Sequence, residues 1–278
     1  MKTLQGNTTS AEALLLRDRW ITIAGIVVLT LLAWWYVLAG ASTGMSTWDM
    51  TTWQFPPPKA ALMAMHWSPT YWLVMVVMWW VMMIAMMTPS ATPLVLLYAR
   101  ATRHAQAKGQ LAAGVVPTGI FLAGYLVAWL AFSIVATAAQ WGFEKLGLVH
   151  GMLMWSVDRT FTGALLIIVG LYQLTPLKAA CLTHCRSPAQ YLSQHWRAGS
   201  WGAFVMGLEH GAYCLGCCWF LMALLFAGGI MNLVWIAGLA IFVLIEKVAP
   251  WGNWVARGAG AAMIAGGAWL LVGERLVG

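Results

Sequence analysis

The sequence predicts an all-α fold, a polytopic transmembrane helix bundle, and three observations predict it. Of its 278 residues, 62% are apolar and only 8% charged, against roughly 25% charged in a soluble domain. The mean hydropathy is +0.77. Apolar runs of about 20 residues, the length that crosses a bilayer, recur along the chain. A soluble globule of this size needs a polar exterior that these residues cannot build. The same composition excludes a disordered chain, a coiled coil and a secreted disulfide scaffold.

The elements follow in order. Trp20 to Ala39 is the first span, behind Lys2, Arg17 and Arg19. Ala39-Gly40-Ala41 resembles a cleavage site, but the apolar run exceeds a signal peptide's 7–15 residues, so it reads as a retained anchor. The second span covers 71–87 and is dense in Met and Trp. Thr92-Pro93 then reads as an N-cap with proline in the first turn, opening an interfacial helix over 93–107. Further spans are expected at 116–139, 162–174, 202–227, 231–245 and 254–272, seven in all. Pro56-Pro57-Pro58 stiffens the loop after span one, and no repeat or soluble insertion interrupts a single helical domain over 1–278.

Charge sets the orientation. Eleven Lys and Arg fall on one side: Lys2, Arg17, Arg19, Arg100, Arg103, Lys108, Lys178, Arg186, Arg197, Lys247 and Arg257. Four fall on the other: Lys59, Lys145, Arg159 and Arg275. The positive-inside rule then places the N-terminus in the cytoplasm and the C-terminus outside. The net charge of +7 is spread along the chain, so it predicts contact with the lipid bilayer and no nucleic-acid partner.

Chemistry concentrates in two segments that hold all five cysteines. In Cys181-Leu182-Thr183-His184-Cys185, the two thiols are four apart on one helical face and His184 shares much of it. In Glu209-His210-Gly211-Ala212-Tyr213-Cys214-Leu215-Gly216-Cys217-Cys218, His210, Cys214 and Cys217 follow an i, i+4, i+7 stripe, and Cys218 is four from Cys214. Gly207 and Gly211 form a small-xxx-small pair that lets a neighbouring helix approach that face. Thiolate and imidazole ligate soft transition metals, and sulfur favours Cu(I). Copper is therefore the first expectation, with zinc and iron as alternatives. Glu209, an ionisable group inside an apolar span, needs a partner such as His210, a cation or a basic residue. Glu246-Lys247 reads as interfacial. Span two carries Met75, Met78, Met82, Met83, Met86 and Met87. With the clusters Met63-x-Met65-His66 and His150-x-Met152-x-Met154, they outline an external thioether and imidazole path toward the cysteines. A Met stripe is more often plain core packing. His104 and His195 read as solvated loop residues.

At these residues the sequence resembles a bacterial family of predicted metal-binding integral membrane proteins. The features that carry the resemblance are Met86-Met87-x-Pro89, Gln173-x-x-Pro176-Leu177-Lys178-x-x-Cys181-Leu182-x-x-Cys185-Arg186-x-Pro188, Gly211-x-x-Cys214-x-Gly216-Cys217-Cys218-Trp219, Met231-Asn232-Leu233 and Glu246-Lys247. The resemblance implies a multi-pass inner-membrane fold with a cysteine-rich metal site and supplies no reaction. Three roles stay open: soft-metal binding for transport or delivery to a protein partner, a thiol-redox enzyme using Cys214 and Cys217, and an accessory subunit of a membrane complex. For that last role, Gly258, Gly260, Gly266 and Gly267 would pack against the complex.

Overall fold

The computed structural model describes residues 5–58, 65–107 and 118–277, giving the backbone alone for 5–18 and 274–277. Lys2, Lys59, Met63, Lys108 and Val116 lie outside the described residues. The helices are α1 (Gln5–Leu38), α2 (Pro69–Ala107), α3 (Thr118–Lys145), α4 (Arg159–Gln173), α5 (Pro176–Arg186), α6 (Pro188–His195), α7 (Gly199–Gly228), α8 (Leu233–Val248) and α9 (Gly252–Val277). Among the described residues, five stretches are long and apolar enough to cross a membrane: Arg19–Leu38, Pro69–Gln106, Thr118–Lys145, Gly199–Gly228 and Gly252–Gly273. Five of the seven expected spans thus correspond to full-length helices. The other two, α4 and α8, have 15 and 16 residues, short of the roughly 20 that span alone. A 63° bend joins α4 to α5, a pair with the length and composition of either a broken span or a re-entrant loop.

That bend has a local cause. Thr175 precedes Pro176, a position from which the helical conformation is sterically disfavoured, and it is extended at φ −74°, ψ 148°. Its hydroxyl accepts from the Lys178 backbone N–H at 3.3 Å, capping the new helix. Ser187-Pro188 likewise divides α5 from α6, with Ser187 at φ −117°, ψ 66° and no side-chain cap. Asp158 and Asn232 cap α4 and α8, accepting from the backbone N–H groups of Phe161 and Val234.

The separate helix expected over 93–107 does not exist, because α2 runs on through Pro89 and Pro93. Pro89 and Pro93 remove the backbone donors to the Ala85 and Pro89 carbonyls, a loss that helices in apolar surroundings tolerate. Thr92 is no N-cap: its hydroxyl donates to the Thr88 carbonyl at 3.0 Å, and Ser90 donates to that of Met87 at 2.9 Å.

The central helix is α7, packed against α3, α4, α5 and α8. Glycines let it lie backbone to backbone on α3. A methyl group on Gly211 would sit 2.5 Å from Ala128 Cβ, and one on Gly207 would strike the Phe121 carbonyl. The small-xxx-small pair therefore faces a neighbouring helix. In α9, Gly260 and Gly267 meet Gly170 and Gly163 of α4 within the chain, whereas Gly258 and Gly266 face open space. Half of the glycine surface expected to receive another subunit is already filled.

Candidate metal centre

Four elements bring the thiols together. Cys185 on α5 faces Cys217 on α7 with sulfurs 3.9 Å apart. The Cys214 thiol lies in side-chain interaction range of Cys185, Cys217 and Cys218. Cys181, one turn earlier on α5, sits over Gly216, where an added methyl would stand 2.7 Å from its sulfur. From α3, Tyr125 Oη lies 3.2 Å from Cys214 Sγ and donates to the Met87 carbonyl at the same distance. From α2, Met87 Sδ lies 4.0 Å from Cys218 Sγ. Cys217 and Cys218 donate back to the Cys214 carbonyl at 3.1 and 2.9 Å. All five cysteines are free. Among the described residues, no three His, Cys, Asp or Glu side chains are already arranged around a metal position.

The residue that sequence reasoning misplaced is Lys247. It was expected at an interface, yet it is buried on α8, and its ammonium donates to Cys214 Sγ at 2.9 Å and to Ser90 Oγ at 3.1 Å. Its neighbour Glu246 is equally buried. Glu246 takes both oxygens to Lys178 Nζ at 2.8 Å and accepts from Gln173 Nε2 at 3.1 Å. Lys178 also donates to Gln173 Oε1. Lys178 and Lys247, counted among the orientation charges, are therefore core residues. Two ammonium groups and one carboxylate leave the thiol region with one net positive charge. The sequence did hold a signal for this: Lys178 and Glu246-Lys247 each adjoin long apolar runs, where a charge needs an internal partner.

The remaining predicted residues separate from the thiols to different degrees. His210 is 4% exposed, and its ring stacks on Tyr125 with centroids 5.8 Å apart. Its Nδ1 has no hydrogen-bond partner, so one ring nitrogen is unspoken for a helical turn from Cys214. His184 turns away from Cys181 and Cys185. Its Nδ1 meets the Ala180 carbonyl at 3.0 Å, and its ring lies flat on Tyr213, 4.3 Å between centroids. Glu209 finds a basic partner, Arg197, at 2.6 Å near the surface. Beside it, burial and then the Glu209 carboxylate push the Tyr191 hydroxyl well above its ordinary range, so it stays a donor, to the Met206 carbonyl at 2.7 Å.

His66 is exposed in the loop before α2. His150 is buried and structural, its Nδ1 accepting from the backbone N–H groups of Met152 and Leu153 at 3.1 and 3.0 Å. The six methionines of α2 are all buried within the main core. Twelve residues separate Met75 from Met87, about 18 Å of helix. At the far end Gln140 Nε2 donates to Met75 Sδ at 3.7 Å.

Such a molecule falls in the class of all-helical proteins whose helices are long and apolar enough for a membrane and whose centre is lined with reduced sulfur. A family model narrows the class: PpoB2, described as a copper chaperone, matches residues 76–270. The match covers well over half of the chain, including every cysteine, and the chain belongs to that family. No curated protein and no solved structure matches it.

Proposed function

We propose that this chain is an integral membrane copper chaperone that holds Cu(I) between α5 and α7, on thiols drawn from Cys185, Cys214, Cys217 and Cys218, and passes it to a protein partner. Family membership supplies copper and delivery. The 3.9 Å approach of Cys185 and Cys217 and the Lys247 ammonium 2.9 Å from Cys214 support the thiols as its place.

Charge sets how many thiolates each metal would need. Burying net charge is costly, and the centre starts one charge positive. Cu(I) with two thiolates carries one negative charge, which Lys247 neutralises. Zn(II) reaches the same balance only with three thiolates. Soft sulfur ligands favour Cu(I), in keeping with a family of copper chaperones. The buried α2 methionines extend from Met87, against Cys218, and offer thioether ligands along a route to the Met75 end.

The test is metal content. Purified full-length protein from copper-supplemented cells is expected to carry copper near one equivalent. Cys214→Ser combined with Cys217→Ser is expected to lose it while keeping helical content. Copper equal to the parent in that double variant would refute the thiol assignment.

A further inference from the structure

A second pair of side chains able to ligate a metal lies on α5 and α6. His184, near the end of α5, and His195, at the end of α6, have ring centroids 6.5 Å apart. Each is anchored in the same way: Nδ1 of His184 lies 3.0 Å from the Ala180 carbonyl and Nδ1 of His195 lies 3.1 Å from that of Tyr191. A carbonyl only accepts, so both Nδ1 atoms carry the proton and both Nε2 atoms present a lone pair. Fixing the tautomer by a backbone carbonyl is how proteins prepare imidazole for a metal. Both residues are half-buried, so an ion can reach them.

The spacing suits one ion. Metal–nitrogen bonds are about 2 Å, so two imidazoles on opposite sides of an ion have centres about 6 Å apart. Few ions accept two ligands alone, and Cu(I) is one. Aromatic rings hold the pair in register: Tyr213 lies flat on His184, and Tyr191 stacks on His195 at 4.8 Å. The pair also adjoins the thiols through the chain, since His184 precedes Cys185 and Tyr213 precedes Cys214. Arg186 pins this end of α5 to the turn before α9, donating to the Ala249 and Pro250 carbonyls at 2.7 and 3.0 Å.

We infer that His184 and His195 form a two-coordinate Cu(I) site, a shallow station through which the ion exchanges between the outside of the bundle and the thiols. It rests on the proposed thiol site as the destination. Copper stays Cu(I) throughout: each Cu–N bond that breaks is replaced by a Cu–S bond, the thiol's proton passes to the released imidazole or to solvent, and no electron moves.

The experiment titrates the purified full chain with Cu(I) buffered by a chelator and reads the ligands by X-ray absorption. The expected result is a tight sulfur-bound ion and a weaker ion on two nitrogens. His184→Phe with His195→Phe keeps the stacked rings, and should delete the nitrogen-bound ion, leave the sulfur-bound affinity unchanged, and slow loading from Cu(I)–glutathione at least tenfold. The corresponding Gln pair controls for the added apolar surface and should behave alike. A parent with no nitrogen-bound ion, or double variants that retain it, would overturn the inference. A nitrogen-bound ion without any sulfur-bound one would support the histidine pair and refute the thiol site instead.

Discussion

Replacing Lys247 is the most informative single change, because its ammonium sets the charge of the centre. At 2.9 Å from Cys214 Sγ, attraction to a full negative charge is about 6 kcal/mol at an effective dielectric of about 20. The cost of burying both groups offsets part of this, and removing one member of a buried pair typically costs 3–5 kcal/mol. Lys247→Met preserves the side-chain length and removes the charge. If copper binds as a dithiolate, the loss converts to about two to four powers of ten in Cu(I) affinity. Lys247→Arg keeps the charge and should stay within about tenfold of the parent. The assay is competition against a Cu(I) chelator at fixed pH, with circular dichroism to confirm the fold. A Met variant that binds Cu(I) as tightly as the parent would refute the charge argument, and with it the Cu(I) dithiolate that Lys247 is taken to neutralise.

Other consequences are equally specific. Gly216→Val would drive a side chain into Cys181 Sγ, displacing α5 from α7; Cu(I) affinity should fall at least tenfold, read by the same competition. Glu246→Leu leaves the Lys178 ammonium buried without its carboxylate and should destabilise the fold by about 3–5 kcal/mol, whereas adding Lys178→Met should restore most of it. Thermal unfolding in detergent measures both. Met78→Leu with Met82→Leu conserves volume on the buried stripe and should cost under about 1.5 kcal/mol of stability. If thioethers carry the ion, that variant transfers copper to an acceptor more slowly at unchanged affinity; an unchanged rate returns the stripe to core packing.

The sequence made the helical class and the two thiol segments legible, since both rest on local signals: apolar length for the first, three- and four-residue spacing for the second. It also foresaw a close helical neighbour on the Gly207 and Gly211 face, though not that the neighbour is α3. Long-range pairing was not legible. Lys178, Gln173 and Glu246 converge from α5, α4 and α8; the apolar runs beside the two lysines hint that each needs a partner, but nothing local names it. Pro93 misled for a related reason. In water it commonly ends a helix, but here α2, packed against α1, α3 and α8, continues through it. His184 followed the cysteines in spacing, yet its ring lies flat on Tyr213, a partner on another helix.

The central claim is that sulfur from two helices holds the copper, and copper K-edge X-ray absorption of the loaded full-length protein tests it most directly. The account predicts an edge typical of Cu(I) and a first shell dominated by sulfur, lost when Cys185 and Cys217 are both changed to serine. A first shell of nitrogen and oxygen alone, unchanged by those substitutions, would contradict it.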